Sequence, residues 1–136
     1  SSSKLINLNN NNDKNKIYIK RSPEIIYGLR NFIGNAVKFS KRKVEIEIIS
    51  NRKNISIEVN DDGPGFPADV IEILGEPYIK SKSKELIRNA GTGLGTFLGK
   101  TLLERKNAKL NFSNSKINNG ALVKIIWNIS DLVKQS

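Results

Sequence analysis

Val44-Glu45-Ile46-Glu47-Ile48 and, beyond the turn Ser50 to Asn54, Ile55-Ser56-Ile57-Glu58-Val59-Asn60-Asp61-Asp62-Gly63-Pro64-Gly65 decide how this chain is built. Apolar and polar residues alternate in both stretches, the period of a strand with one buried face, so together they predict a hairpin. Asp61 continues the series Ile55, Ile57, Val59, which aims its carboxylate toward the core, whereas Asp62 points away. A carboxylate left unpaired at the rim of an apolar layer costs at least ~1–3 kcal/mol, so Asp61 needs a donor.

Upstream of the hairpin, Ser22-Pro23 supplies a cap and a first-turn proline for a helix. Within it Ile25, Leu29, Phe32 and Ala36 recur on one face, while Asn31, Asn35 and Lys38 fall on another stripe. Ile17 and Ile19 read as a short strand before it. Downstream, Gly63 to Gly95 reads as a long irregular loop, interrupted by a short helix near Ala68 to Leu74; loops of this length in compact domains are usually functional, and this one has the character of a lid. Leu94, Leu98 and Leu102 with Phe97 then define an amphipathic helix ending near Lys106-Asn107, followed by strands at Lys109 to Ser113 and Ala121 to Asn128 around the turn Asn119-Gly120. The order β-α-β-β-lid-α-β-β predicts an α+β fold, a two-layer sandwich whose mixed sheet of about five strands is covered on one face by helices. Residues 1–16, rich in Ser, Asn and Lys, are expected to be a flexible linker, 17–130 the domain and 131–136 a tail.

The 136 residues suit a single core. A net charge of +10 would ordinarily point to an anionic partner. The 18 Asn, 17 Lys and 19 Ile are what AT-rich coding produces, so the charge carries little weight. Without Cys or His there is no disulfide framework, no thiolate metal site, and no hydrolase built on a Ser-His-Asp or Cys-His arrangement. No apolar run approaches the ~20 residues of a membrane helix. The absence of Met and the opening Ser1-Ser2-Ser3 suggest a piece of a longer protein.

Three motifs carry chemistry. Asp61-Asp62-Gly63-Pro64-Gly65 taken alone reads first as an acidic turn; the other reading is a site where Asp61 accepts from a ligand amino group while Gly63 and Gly65 let a flat ring such as adenine lie against the backbone. Gly91-Thr92-Gly93-Leu94-Gly95 at a helix entrance fits a flexible turn, and equally a phosphate cradle of free N–H groups. It is not the dinucleotide pattern, because Thr96 stands where the third glycine belongs, and Gly95 to Thr101 falls one residue short of a P-loop. Asn31, Asn35 and Lys38 in so Asn- and Lys-rich a chain read first as a solvated face; the other reading is an amide oxygen for Mg²⁺ with a lysine one turn on for phosphate.

In this order and spacing, Asn31-x-x-x-Asn35-Ala36-x-Lys38-Phe39, Asp61-x-Gly63-x-Gly65 and Gly91-x-Gly93-Leu94-Gly95 resemble the N, G1 and G2 boxes of the sensor histidine kinase catalytic domain, within the gyrase/Hsp90/kinase/MutL superfamily. The resemblance covers roughly Ile17 to Trp127, and Asp61 to Phe66, Leu74 to Tyr78, Gly93 to Glu104 and the ending Gly120-Ala121-x-Val123 with Trp127 resemble the redox-responsive RegB/PrrB branch. It implies the Bergerat sandwich, with ATP and Mg²⁺ between the helices and the lid. Asn35 would hold the metal, supported by Asn31, and Lys38 would reach the phosphates. Phe39 would line the adenine side and Asp61 receive its amino group. Gly93, Leu94, Gly95 and the adjoining Thr96 would border the triphosphate, with Lys80 and Lys82 adding charge from the lid. Hydrolysing relatives carry Glu where Asn31 stands, and an amide is no base for water, so the implied reaction is γ-phosphoryl transfer to a histidine. The implied acceptor lies on a dimerisation segment preceding Ser1, the implied partners are that segment in a homodimeric parent and a response regulator, and the implied location is the cytoplasmic side of an inner-membrane-anchored protein. The piece itself is expected to be monomeric and not to bind nucleic acid; a basic nucleic-acid module and a pseudokinase scaffold are the alternatives.

Overall fold

A computed structural model of the chain describes residues 4–11, 19–75, 93–117 and 119–132. Five strands, β1 (Leu5–Asn11), β2 (Lys43–Ser50), β3 (Asn54–Asp61), β4 (Lys109–Asn114) and β5 (Ala121–Asn128), form one sheet in the order β1-β2-β3-β5-β4. β1 runs parallel to β2 and every other pair is antiparallel. The helices are α1 (Pro23–Phe39), α2 (Ala68–Leu74), α3 (Gly93–Glu104) and the short α4 (Ile129–Leu132).

Register explains the two layers. Val44 lies opposite Asp61, Ile46 opposite Val59 and Ile48 opposite Ile57; Val59 in turn faces Val123, which faces Phe112. One face of the sheet is therefore apolar, and α1 lays Gly28, Phe32 and Ala36 toward that core. Glu45, Glu47, Glu58 and Lys124 occupy the alternate positions on the opposite face. α1 begins where the sequence predicts: Ser22 Oγ accepts from the Ile25 N–H at 3.3 Å, Pro23 occupies the first turn, and Ser40 N–H closes the far end on the Ala36 carbonyl at 2.9 Å. α1 and α3 cross closely because two glycines meet there. A Cβ on Gly28 would lie 2.6 Å from Leu103 Cγ, and one on Gly99 would lie 3.1 Å from Phe32 Cε2.

Three expectations change. Leu5–Asn11, expected to belong to a flexible linker, is a strand at the sheet edge. Its Asn-rich side chains bury little, but an edge strand is held by backbone groups, and Leu5 N–H donates to the Arg42 carbonyl while Lys4 Nζ reaches the Val37 carbonyl at 2.7 Å. Leu132, expected in a C-terminal tail, is 5% exposed in the core, and its carbonyl accepts from Lys20 N–H. On α3 one of the expected leucines, Leu98, does not face inward: it is 52% exposed, while Phe97 and Leu103 are buried. The Gly99 crossing rotates that helix so that the glycine meets α1, which puts Leu98 outside. The strand expected at Ile17 to Ile19 lies mostly outside the described residues, with Ile19 in an isolated bridge; of the lid-like loop expected from Gly63 to Gly95, residues 76–92 lie outside them.

Candidate functional site

A cavity of about 330 Å³ opens between α1, the end of β3, the loop Pro64 to Pro67 and the start of β5. Phe32, Ala36, Phe39, Val59, Phe66 and Val123 make its walls apolar, and Asn35, Asp61 and Thr96 are its polar side chains. This composition, a mostly apolar cleft with a few convergent polar groups, is that of a small-molecule site.

Asp61 is 4% exposed, at the position the strand register assigns to the inner face. Its Oδ1 accepts from Gly63 N–H at 2.8 Å and from Ala121 N–H at 3.2 Å. Nothing among the described residues donates to Oδ2. Burial pushes the Asp61 carboxyl above the usual carboxylate range; the two backbone donors pull partly against that, and the neighbouring Asp62 charge adds to it. The acceptor is fixed by its surroundings. A Cβ on Gly63 would lie 2.3 Å from the Phe39 carbonyl oxygen, and one on Gly120 would lie 1.8 Å from the Asp61 carbonyl oxygen. Gly65 has φ +83°, the left-handed region that glycine tolerates. Asn114 ties this loop down, accepting from Phe66 N–H at 2.7 Å and donating to the Phe66 carbonyl at 2.9 Å, and Phe66 meets Phe112 edge-on with ring centroids 6.0 Å apart.

Across the cavity, Asn35 Nδ2 donates to Thr96 Oγ1 at 2.7 Å, joining α1 to the first turn of α3. That bond uses the amide nitrogen and turns the amide oxygen, a hard donor suited to Mg²⁺, away from Thr96.

Of the residues singled out in the sequence, Asn35, Phe39, Asp61, Gly65 and Thr96 line the cavity, and Gly63 lies behind it against Phe39. Asn31 sits one turn earlier on α1, against Gly99 of α3, and is not on the cavity wall. Lys38 is exposed, its ammonium 5.4 Å from the Phe39 ring centroid, and is also off the wall. Gly93, Leu94 and Gly95 form the first turn of α3. Lys80, Lys82 and Gly91 lie outside the described residues. Asn114 and Gly120 were not singled out as site residues. Asn114 is one of many asparagines, and Gly120 reads as ordinary turn chemistry until the fold brings it against Asp61.

Residues 21–130 match the family described as histidine kinase-, DNA gyrase B- and HSP90-like ATPase, and the chain belongs to that family. Within it, the chain is similar to sensor kinases. It is 37% identical to the sensor histidine kinase RegB of Cereibacter sphaeroides over 89% of this chain and 29% of that protein. It is 28% identical to the sensor histidine kinase CpxA of Escherichia coli over 73% of this chain and 21% of that one. The chain thus spans under a third of these relatives. Among solved structures, the catalytic domain of histidine kinase ThkA superposes with a TM-score of 0.66 at 20% identity, covering 93% of this chain and 82% of that one. Full-length ShkA in complex with AMPPNP superposes at 0.65 with 19% identity, covering 96% of this chain and 26% of that one. These likenesses establish the Bergerat sandwich and its five-stranded mixed sheet.

Proposed function

We propose that this chain is the ATP-binding catalytic domain of a two-component sensor histidine kinase, presenting Mg-ATP for γ-phosphoryl transfer to a histidine elsewhere in its kinase. The observation that carries the reading is Asp61: a buried carboxylate whose Oδ1 is taken by two backbone N–H groups and whose Oδ2 remains for a donor in an apolar, ring-sized cleft. The amino group of adenine is such a donor, and Phe39 and Val59 offer its ring apolar walls.

The donor set fits Mg²⁺ on the phosphate side. Asn35 would hold the ion through its amide oxygen, with Asn31 supporting that region and phosphate oxygens completing a shell that Mg²⁺ commonly shares with substrate. The ion supplies charge neutralisation at the transferring group. The N–H groups of the first turn of α3, Gly93 to Gly95, would face the phosphates, and in this reading Lys38, Lys80, Lys82 and Gly91 would add phosphate contacts. With Asn31 where a water-activating base would stand, the domain favours transfer over hydrolysis. The chain contains no histidine, so the acceptor lies outside these 136 residues, on a dimerisation segment, and a response regulator receives the phosphoryl group next. In this reading the domain works on the cytoplasmic side of a membrane-anchored parent; among the described residues no helix is long and apolar enough to cross a membrane.

Mg-ATP at about 100 times its dissociation constant should stabilise the fold by about 2.7 kcal/mol through linkage, a shift of roughly 6–15 °C in melting temperature. Adding a histidine-bearing dimerisation segment in trans should then yield acid-labile phosphate. A melting curve unmoved by millimolar Mg-ATP rules the reading out.

A further inference from the structure

Asp62 is the acidic residue of the loop that the nucleotide reading leaves unused. It is half-buried, and three consecutive backbone N–H groups converge on its carboxylate. Oδ1 accepts from Lys41 at 2.7 Å, Arg42 at 3.1 Å and Lys43 at 3.3 Å, and Oδ2 accepts from Arg42 at 3.1 Å. All three donating residues are cationic, yet among the described residues Asp62 forms no ion pair; Lys43 pairs with Glu45 instead. The charge is committed to the main chain. Burial alone would raise the Asp62 carboxyl, but the converging N–H groups outweigh it and hold the group below the usual carboxylate range.

The segment Asp62 grips is the corner between α1 and β2, which begins immediately after Phe39. The neighbours of Asp62 in sequence are Asp61, on the cavity wall, and Gly63, whose α-carbon passes so close under the Phe39 carbonyl that no Cβ fits. One side chain therefore fastens the strand end bearing the polar acceptor to the helix end bearing the aromatic wall. We propose that Asp62 is a positioning residue that fixes the gap between Asp61 and Phe39, and thereby the preference of the cleft for adenine over guanine.

The reasoning is chemical. Adenine offers an amino donor where guanine offers a carbonyl acceptor, so a carboxylate held at direct hydrogen-bond distance favours the first and repels the second. If the corner drifts, water enters between Asp61 and the base, and a water can donate as well as accept, which erases the distinction. Discrimination should thus suffer more than affinity for the shared triphosphate.

This inference rests on the nucleotide reading above, and titration calorimetry with Mg-ATP and Mg-GTP separates the two. Wild type should prefer ATP. Asp62→Ala should lose at least fivefold of the ATP-to-GTP ratio, and Asp62→Asn, whose Oδ1 can still accept from Lys41, Arg42 and Lys43, should restore most of it. Asp62→Ser carries the same comparison if the alanine variant does not fold. Equal weakening of both nucleotides, with the ratio unchanged, would show a merely structural tie and overturn the inference. Wild type that binds neither nucleotide overturns the parent reading and this inference with it.

Discussion

Replacing Asp61 with Asn separates the folding role of this side chain from its binding role. The amide keeps an Oδ1 for the Gly63 and Ala121 N–H groups, so the loop retains both of its bonds. Nδ2 then faces the adenine amino group, donor against donor. A hydrogen bond to a charged acceptor is worth ~1.5–3 kcal/mol, and each 1.4 kcal/mol is tenfold in affinity, so Mg-ATP should bind roughly 10- to 150-fold more weakly. Stability should move the other way. Because the folded Asp61 carboxyl titrates above its ordinary value of 3.8, the folded state holds more protons than the unfolded one between those two values. Stability therefore falls as pH rises through that window, and the cost of the buried charge is fully present above it. Asn carries no charge, so the free Asp61→Asn protein should melt at or above wild type at neutral pH. For the same reason, wild-type affinity for Mg-ATP should decline as pH drops through the window and Asp61 is protonated, while the variant shows no such step. Calorimetric titration and differential scanning at matched pH read both quantities. A variant that binds Mg-ATP within twofold of wild type would refute the reasoning.

Further substitutions probe the surroundings of that carboxylate. Gly120→Ala drives a Cβ into the Asp61 backbone and should cost about 1–3 kcal/mol of stability, with weaker Mg-ATP binding, read by thermal melts and titration. Asn35→Ala removes the bond to Thr96 and the amide oxygen together, so the gain in nucleotide affinity on adding Mg²⁺ should shrink toward none, measured by titration with and without the ion. Ser22→Ala removes the α1 cap, far from the cavity, and should lower stability by ~1 kcal/mol, leaving the Mg-ATP dissociation constant unchanged.

The parts of the fold readable from sequence are those where side-chain chemistry and period agree. β2 and β3 alternate cleanly, Ser22-Pro23 announces a helix, and the odd-numbered register carries Asp61 inward. Leu5–Asn11 was hidden because its strand depends on backbone pairing with β2, which composition does not report. Leu98 misled because a stripe of leucines describes an isolated helix, whereas the Gly28 and Gly99 crossing fixed the rotation of α3. In the site, Asp61, Asn35 and Phe39 stood out as motif positions. The apolar walls Phe32, Val123 and Phe66, and the buttress at Gly120, come from four separate elements and become neighbours only when the sheet closes around them.

The central claim is that adenine is held by the free oxygen of Asp61 within this cleft. A crystal structure with Mg²⁺ and a nonhydrolysable ATP analogue tests it most directly. The account predicts the adenine amino nitrogen about 3 Å from Asp61 Oδ2, the ring against Phe39, and the ion on the Asn35 amide oxygen. Analogue bound elsewhere, or an Asp61 left without a ligand donor at saturating nucleotide, would contradict it.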